Sequence, residues 1–247
     1  MGEQATPPGD YRNADKVEGY YTIAKEGSVG ADGGIDQEVF QCLKGLLPQT
    51  LSGLKALDVG GGDARWSHYF HEELTADQVS YIDSSSTMLA LAQERKKECN
   101  LERLSLFEAD VRDLSFIETE SVDIPLASFC LMYFGETDLK RVMVEIARTL
   151  RKGGELYIAT NLVLVHDGSV LSRIKNEIVP LLLGTGTEKQ PTENTVQTPN
   201  LYQESFEKAG LTLQHTAIFE PHGISVDQNC KYAEQIELKK AIFFCHS

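Results

Sequence analysis

The sequence predicts an α/β fold built on a doubly wound, mainly parallel sheet with helices on both faces. Three observations carry that expectation. From Leu54 to Asn161, short apolar runs alternate with helical spacings, the pattern of parallel strands joined by crossover helices. A glycine turn, Gly60-Gly61-Gly62, follows the first apolar run and precedes a helical pattern. An aspartate, Asp83, closes the next run about twenty residues later.

The elements follow in order. Ile35 to Leu47 carries Val39, Phe40, Leu43, Leu46 and Leu47 at helical spacing; Asp36 is placed to start this helix and Pro48 to end it. Leu54 to Val59 reads as a buried strand, and a helix opens near Asp63 with Trp66, Tyr69 and Phe70 on its inner face. The alternation continues as strand Gln78 to Ile82, helix Ser86 to Cys99, strands Leu104 to Glu108 and Val122 to Phe129, helix Thr137 to Leu150 and strand Gly154 to Asn161. About 40 residues then separate Asn161 from the next helix, Tyr202 to Ala209, and include an amphipathic piece, Val170 to Leu183, and the polar run GTGTEKQPTENTVQTPN. A connection of that length reads as a functional lid. Leu211 to Phe219 and Leu238 to Cys245 have no helix between them and are expected to pair antiparallel. The chain therefore divides into a leader and N-terminal cap (1–34), a core (35–161), a lid or insertion (162–200) and a C-terminal helix with a strand pair (201–247).

Composition fits one soluble domain of 247 residues, 41% apolar and 24% charged. The net charge of −14 argues against wrapping naked nucleic acid, which needs a basic patch. Cys42, Cys99, Cys130, Cys230 and Cys245 are scattered without a CxxC pair, and with no basic and apolar leader they indicate reduced thiols and a cytoplasmic location. No stretch approaches the roughly 20 apolar residues of a membrane span, and no spaced cluster of His, Asp and Glu suggests a metal.

The chemistry centres on Asp58-Val59-Gly60-Gly61-Gly62-Asp63-Ala64-Arg65. Glycines at a strand-to-helix turn let the backbone bend sharply and approach a ligand; taken alone they could serve a plain turn. Asp83 supplies what a plain turn lacks, a carboxylate placed to accept from both hydroxyls of a ribose. Asp110, after the third strand, could accept from the amine of an adenine. A dinucleotide fits less well, because the third glycine of G-x-G-x-x-G is replaced by Arg65. Asp58 and Asp63 also put negative charge where a pyrophosphate would lie, partly offset by Arg65; an ammonium or a sulfonium suits that place better.

Asp58-Val-Gly60-Gly-Gly62, Asp83-Ser-Ser85-Ser-Thr-Met88-Leu89, Ala109-Asp110-Val111, Ser128-Phe-Cys-Leu131 and Leu150-Arg-Lys-Gly153-Gly154 stand in the order and spacing of a known family. From about Leu54 to Thr160 the chain resembles the class I S-adenosylmethionine-dependent methyltransferases. The resemblance implies a Rossmann-like sheet of seven strands in the order 3-2-1-4-5-7-6, the last strand antiparallel. It implies S-adenosyl-L-methionine as cofactor, S-adenosyl-L-homocysteine as product and in-line displacement at the methyl group. Carried over residue by residue, Asp58 and Gly60 to Gly62 lie along the methionine moiety, Asp83 holds the ribose, Ser84 or Ser85 lines the adenosine, Asp110 meets the adenine amine and Val111 packs on its ring. Arg65, Met88, Ala109 and Ser128 belong to the same motifs and are expected around the cofactor. Phe129 to Tyr133 would face the methyl group; several relatives carry histidine where Tyr133 falls, so a histidine base is not expected there.

A base is needed only if the acceptor must lose a proton before attack. Candidates are Tyr21, Tyr133 and His166. Tyr20 and Tyr21 lie in an N-terminal segment that in relatives often closes over the cofactor; Tyr20 is assigned to the cofactor and Tyr21 to the acceptor, although either could simply pack a helix. His166-Asp167, with Asn161, lies where acceptor groups gather at the carboxyl edge of an α/β sheet, although a His-Asp pair on a loop can also be a surface turn. The expected acceptor is a nitrogen or oxygen of a small metabolite. Ser128-Phe129-Cys130-Leu131 stands where DNA amino-methyltransferases carry their Pro-Pro-aromatic signature. Two alternatives remain: a peptide or protein N-methyltransferase, and a cofactor-binding regulatory protein without catalysis.

Overall fold

The computed structural model describes residues 37–165, 197–219 and 236–247. The strands are β1 (Lys55–Val59), β2 (Gln78–Asp83), β3 (Leu104–Glu108), β4 (Ile124–Ser128), β5 (Glu155–Val165), β6 (Thr212–Phe219) and β7 (Ile236–His246). The helices are α1 (Gln37–Leu46), α2 (Arg65–Glu72), α3 (Ser86–Glu98), α4 (Glu136–Thr149) and α5 (Pro199–Ala209). One sheet results, in the order β3-β2-β1-β4-β5-β7-β6. β1 to β5 run parallel, and β7 is antiparallel to both β5 and β6. Both the doubly wound expectation and the inserted antiparallel strand are therefore met.

Alternation along the strands builds two apolar layers. Leu57, Val59 and Ile158 face α4 and α5, where Leu139, Val142, Met143 and Ile146 recur at helical spacing beside Leu201 and Phe206. Ala56, Tyr81 and Tyr157 face α1, α2 and α3, against Val39, Leu43, Trp66 and Phe70. Burial of four of the five β1 residues fits a strand covered on both faces.

Several boundaries differ from the sequence reading, each for a local reason. α2 opens at Arg65 rather than near Asp63 because Ala64 takes a left-handed conformation, φ 59°. α5 opens at Pro199, ahead of Tyr202, because the Thr198 side chain accepts from the Leu201 amide and proline suits the first helical turn. β4 begins at Ile124, since Val122 instead makes an isolated bridge to Leu150. β5 continues past Asn161 to Val165, held by unbroken pairing with β7 as far as Val165 opposite Ile236. The leader and the piece Val170 to Leu183 lie outside the described residues.

Candidate active site

Gly60 (φ 62°) and Gly62 (φ 53°) occupy left-handed backbone that glycine adopts without strain. Gly61 is required for a different reason: a Cβ there would stand 2.4 Å from the Tyr81 ring. The turn is tied to β2 by three hydrogen bonds. The Gly61 amide donates to the Ile82 carbonyl at 3.0 Å, the Gly62 amide to Asp83 Oδ2 at 3.0 Å, and the Tyr81 hydroxyl to the Gly62 carbonyl at 2.7 Å.

The other oxygen of Asp83, Oδ1, accepts from the Ser85 amide at 2.8 Å. Burial raises the carboxyl of Asp83 above its ordinary range, while the amides of Ser85, Gly62 and Ser84 oppose that shift. Gly62 and Ser85 thus donate to different oxygens of Asp83, and each carboxylate oxygen can accept more than one hydrogen bond, as a vicinal diol requires. Ser85 also caps α3 by accepting from the Met88 amide at 3.2 Å, and Met88 is buried beneath it. These contacts fit the ribose of an adenosyl group.

Asp58 is 1% exposed, and its Oδ2 accepts from both the amide (2.9 Å) and the hydroxyl (2.7 Å) of Ser67. Burial, with the nearby charges of Asp63 and Asp83, pushes its carboxyl up to about 7 despite those bonds. Asp58 therefore braces α2 against β1, and in its ionised form it places negative potential under the turn. Arg65 is drawn onto Asp63 at 2.9 Å, and Arg95 reaches the same carboxylate at 3.0 Å. Asp63 is thus charge-balanced within the protein.

Asp110 is clasped by Arg112, whose Nη2 donates to Oδ2 at 2.6 Å and whose amide donates to Oδ1 at 2.9 Å; Arg112 Nη1 also reaches Asp138 at 2.8 Å. Although burial acts to raise it, the Arg112 contacts outweigh burial and hold Asp110 below the usual carboxylate range. Val111 is buried and packs into the core, and Ala109 lies partly buried beside it, its amide donating to the Asp83 carbonyl at 3.1 Å. The sequence offered no reason to single out Arg112.

Beyond Ser128 the chain turns sharply. Phe129 has φ 53°, an uncommon conformation for a bulky residue and one that gathers at functional sites. It leads through Cys130 into a 3-10 turn, Leu131–Tyr133. Cys130 packs where a Cβ on Gly60 would stand, 2.5 Å from the Cys130 Cβ, and its thiol donates to the Val59 carbonyl at 3.0 Å. Tyr133, half-buried, closes the 3-10 turn. Asn161 Nδ2 meets Met132 Sδ at 3.1 Å, while Asn161 Oδ1 is buried without a donor. Phe129, Tyr133 and Asn161 thus come together at the carboxyl edge of β4 and β5. Tyr20, Tyr21, His166 and Asp167 lie outside the described residues.

Residues 56–154 match the family model described as a methyltransferase domain. Over that stretch, less than half of the chain, the sequence is similar to methyltransferase domains. The chain is similar to the demethylmenaquinone methyltransferase of Listeria welshimeri, 32% identical over 111 residues, 44% of this chain and 46% of the relative. It also resembles the phosphatidylethanolamine N-methyltransferase of Cereibacter sphaeroides, 39% identical over 84 residues, 34% of this chain and 40% of the relative. These matches span less than half the length of either relative. The fold is shared with phosphoethanolamine N-methyltransferase 2 of Haemonchus contortus at a TM-score of 0.68 and 18% identity, covering 96% of this chain and 59% of that one.

One further residue escaped the sequence reading. Lys240, in β7, is 2% exposed and stands directly opposite Asn161. The signal was a lysine pair inside an apolar strand, Leu238-Lys239-Lys240-Ala241-Ile242.

Proposed function

We propose that this chain transfers a methyl group from S-adenosyl-L-methionine to a nitrogen or oxygen of a small-molecule acceptor, releasing S-adenosyl-L-homocysteine. The observation that carries the reading is the union of the glycine turn with Asp83 through the Gly62 amide. When bound, the cofactor supplies a methyl group on a sulfonium, already activated for displacement. The work of the protein is then to bind, orient and exclude water. Asp83 receives the ribose hydroxyls, and Asp110, held by Arg112, receives the adenine amine. Gly60 to Gly62 let the methionine moiety lie close to the backbone, where Asp58 contributes negative potential favourable to a cation. Phe129 and Tyr133 wall the methyl position, and an aromatic face there favours the positive charge shared in the transition state. Asn161 offers its unsatisfied Oδ1 to a donor group on the acceptor. Where the acceptor must lose a proton, His166 is the proposed base, with Tyr133 and Tyr21 as the other candidates.

The acidic surface supports a small acceptor over a nucleic acid. Among the described residues no helix is long and apolar enough to cross a membrane, and Cys42, Cys99, Cys130 and Cys245 are free thiols, which supports a cytoplasmic location. The test is formation of S-adenosyl-L-homocysteine in the presence of amine and hydroxyl acceptors. Turnover with either class supports the reading; tight cofactor binding without turnover on any acceptor would favour the regulatory alternative.

A further inference from the structure

We infer that Asn161 Oδ1 receives an N–H of an acceptor amine, so that the group methylated is a primary or secondary amine and transfer stops at the tertiary amine. This rests on the methyl transfer proposed above and narrows it from nitrogen or oxygen to nitrogen that bears hydrogen. Buried polar atoms in native structures almost always have a partner, and those that lack one call for an explanation. Among the described residues, two buried side-chain polar atoms have none, Asn161 Oδ1 and Gln197 Oε1. Both belong to side chains tied to one turn: Asn161 Nδ2 meets Met132 Sδ at 3.1 Å, and Gln197 Nε2 donates to the Phe134 carbonyl at 2.8 Å. The orphan oxygens thus gather at the segment that follows β4, where the acceptor has to lie.

The orientation of each carboxamide is fixed by what its nitrogen meets. Turning Gln197 over would set its oxygen against the Phe134 carbonyl, one acceptor facing another. A thioether sulfur is likewise an acceptor and holds the amino end of Asn161, which leaves the oxygen to be met from elsewhere. Lys240, opposite Asn161 in β7, is engaged within the protein and does not donate to that oxygen. Height along the sheet sets Asn161 beside the residues proposed to wall the methyl position. Ala159 is the last β5 residue paired with β4, opposite Ser128, and Asn161 stands two positions further on, on the same face. It therefore lies beyond the end of β4, level with the turn that begins at Phe129.

An amine attacks through its lone pair, and its N–H bonds fix where that lone pair points. One N–H held by Asn161 Oδ1 leaves the lone pair free to face the methyl group. The lone pair forms the N–C bond while the C–S bond pair returns to sulfur, and positive charge builds on nitrogen. The N–H then becomes a stronger donor, so Oδ1 holds the transition state more tightly than the ground state. The carboxamide takes no proton; the ammonium product gives one to water. A hydroxyl held in the same way keeps its proton, because a carboxamide oxygen is not a base, and it stays a poor nucleophile. A neutral tertiary amine has no N–H and leaves Oδ1 unpaired against a methyl group. Sites built to bond an N–H reject analogues that lack it by about 10⁴- to 10⁵-fold.

The experiment is calorimetric titration of the full chain near neutral pH, with and without bound S-adenosyl-L-homocysteine, using benzylamine and, separately, benzyltrimethylammonium. Both probes carry one positive charge and the same ring, and only benzylamine has N–H. The expected result is saturable one-to-one binding of benzylamine, at least tenfold tighter than that of benzyltrimethylammonium. That preference is lost in Asn161→Leu and kept in Asn161→Asp, which retains an acceptor oxygen but not the contact of Nδ2 with Met132. If Asn161→Leu does not fold, the wild type and Asn161→Asp still decide. Absence of benzylamine binding to the wild type, equal or tighter binding of benzyltrimethylammonium, or loss of the preference in Asn161→Asp overturns the proposal. In turnover the expected products are secondary and tertiary amines, and a quaternary ammonium or a methyl ether overturns it. Failure to bind S-adenosyl-L-homocysteine counts against the methyltransferase reading instead, and the titration without it still decides the amine subsite.

Discussion

The Gly62 amide donates to Asp83 Oδ2 at 3.0 Å, which makes the turn after β1 and the acid at the end of β2 one hydrogen-bonded unit. The Tyr81 hydroxyl closes the same unit from beneath by donating to the Gly62 carbonyl. Neither the glycines nor the aspartate is set in place alone.

Tyr81→Phe removes that closing bond and leaves the ring in the core, where the parent residue is fully buried. A loss of about 1 kcal/mol of folding stability is expected. Affinity for S-adenosyl-L-methionine is expected to fall with it, because the turn is less firmly held. Urea unfolding and calorimetry on the same variant check both parts.

Asp58 gives a pH dependence with a definite sign. Burial pushes its carboxyl up to about 7 in the folded chain, above the ordinary aspartate value of 3.8, so between roughly pH 4 and 7 the folded state holds a proton that the unfolded state has released. This contribution to stability is full below the unfolded value and is lost as pH rises through 7. Asp58→Asn removes the titration. The stability of the wild type relative to this variant is therefore expected to decline from pH 4.5 to 7.5, measured by urea midpoints.

Phe129 reverses the usual order of alanine and glycine. At φ 53° alanine is strained and glycine is not. Phe129→Gly is expected to be more stable than Phe129→Ala by about 1 kcal/mol. Both variants lose the aromatic wall and are expected to raise the acceptor KM; chemical denaturation of the pair supplies the stability comparison.

What could be read from the residues alone follows from how local each cue is. Asp58, Gly60 to Gly62 and Asp83 announce themselves because their chemistry and spacing lie within two strand-to-helix turns. The sheet order was legible because α/β alternation and the family motifs agree. By contrast, the left-handed Phe129 has no composition signal, since most bulky residues avoid that backbone. Arg112 was hidden because its role arises from distant packing, with Asp138 on α4 reaching the arginine that clasps Asp110. Lys240 was hidden because lysines usually mark a solvated face, and only the antiparallel insertion of β7 beside β5 buries it next to Asn161.

The clasp of Arg112 on Asp110 has its own pH signature. Asp110 is held below the usual carboxylate range, burial acting upward and the Arg112 contacts more strongly downward, so its contribution is present above the unfolded value near 3.8 and is lost as pH falls through the lowered one. The Asp110 side chain is 38% exposed, and solvent screening reduces the coupling to about 1 kcal/mol or less. A double-mutant cycle of Asp110→Asn with Arg112→Met is expected to show that coupling at pH 7 and to lose it at strongly acid pH.

The central claim, an adenosyl site built on the glycine turn and Asp83, is tested most directly by calorimetric titration of wild type and Asp83→Ala with S-adenosyl-L-methionine, beside NAD as a competitor for the same site. One-to-one binding of S-adenosyl-L-methionine to the wild type is expected, weakened by about 1–3 kcal/mol, or 5- to 150-fold, in Asp83→Ala. Equal affinity in the two proteins, or tighter binding of NAD than of S-adenosyl-L-methionine, would contradict it.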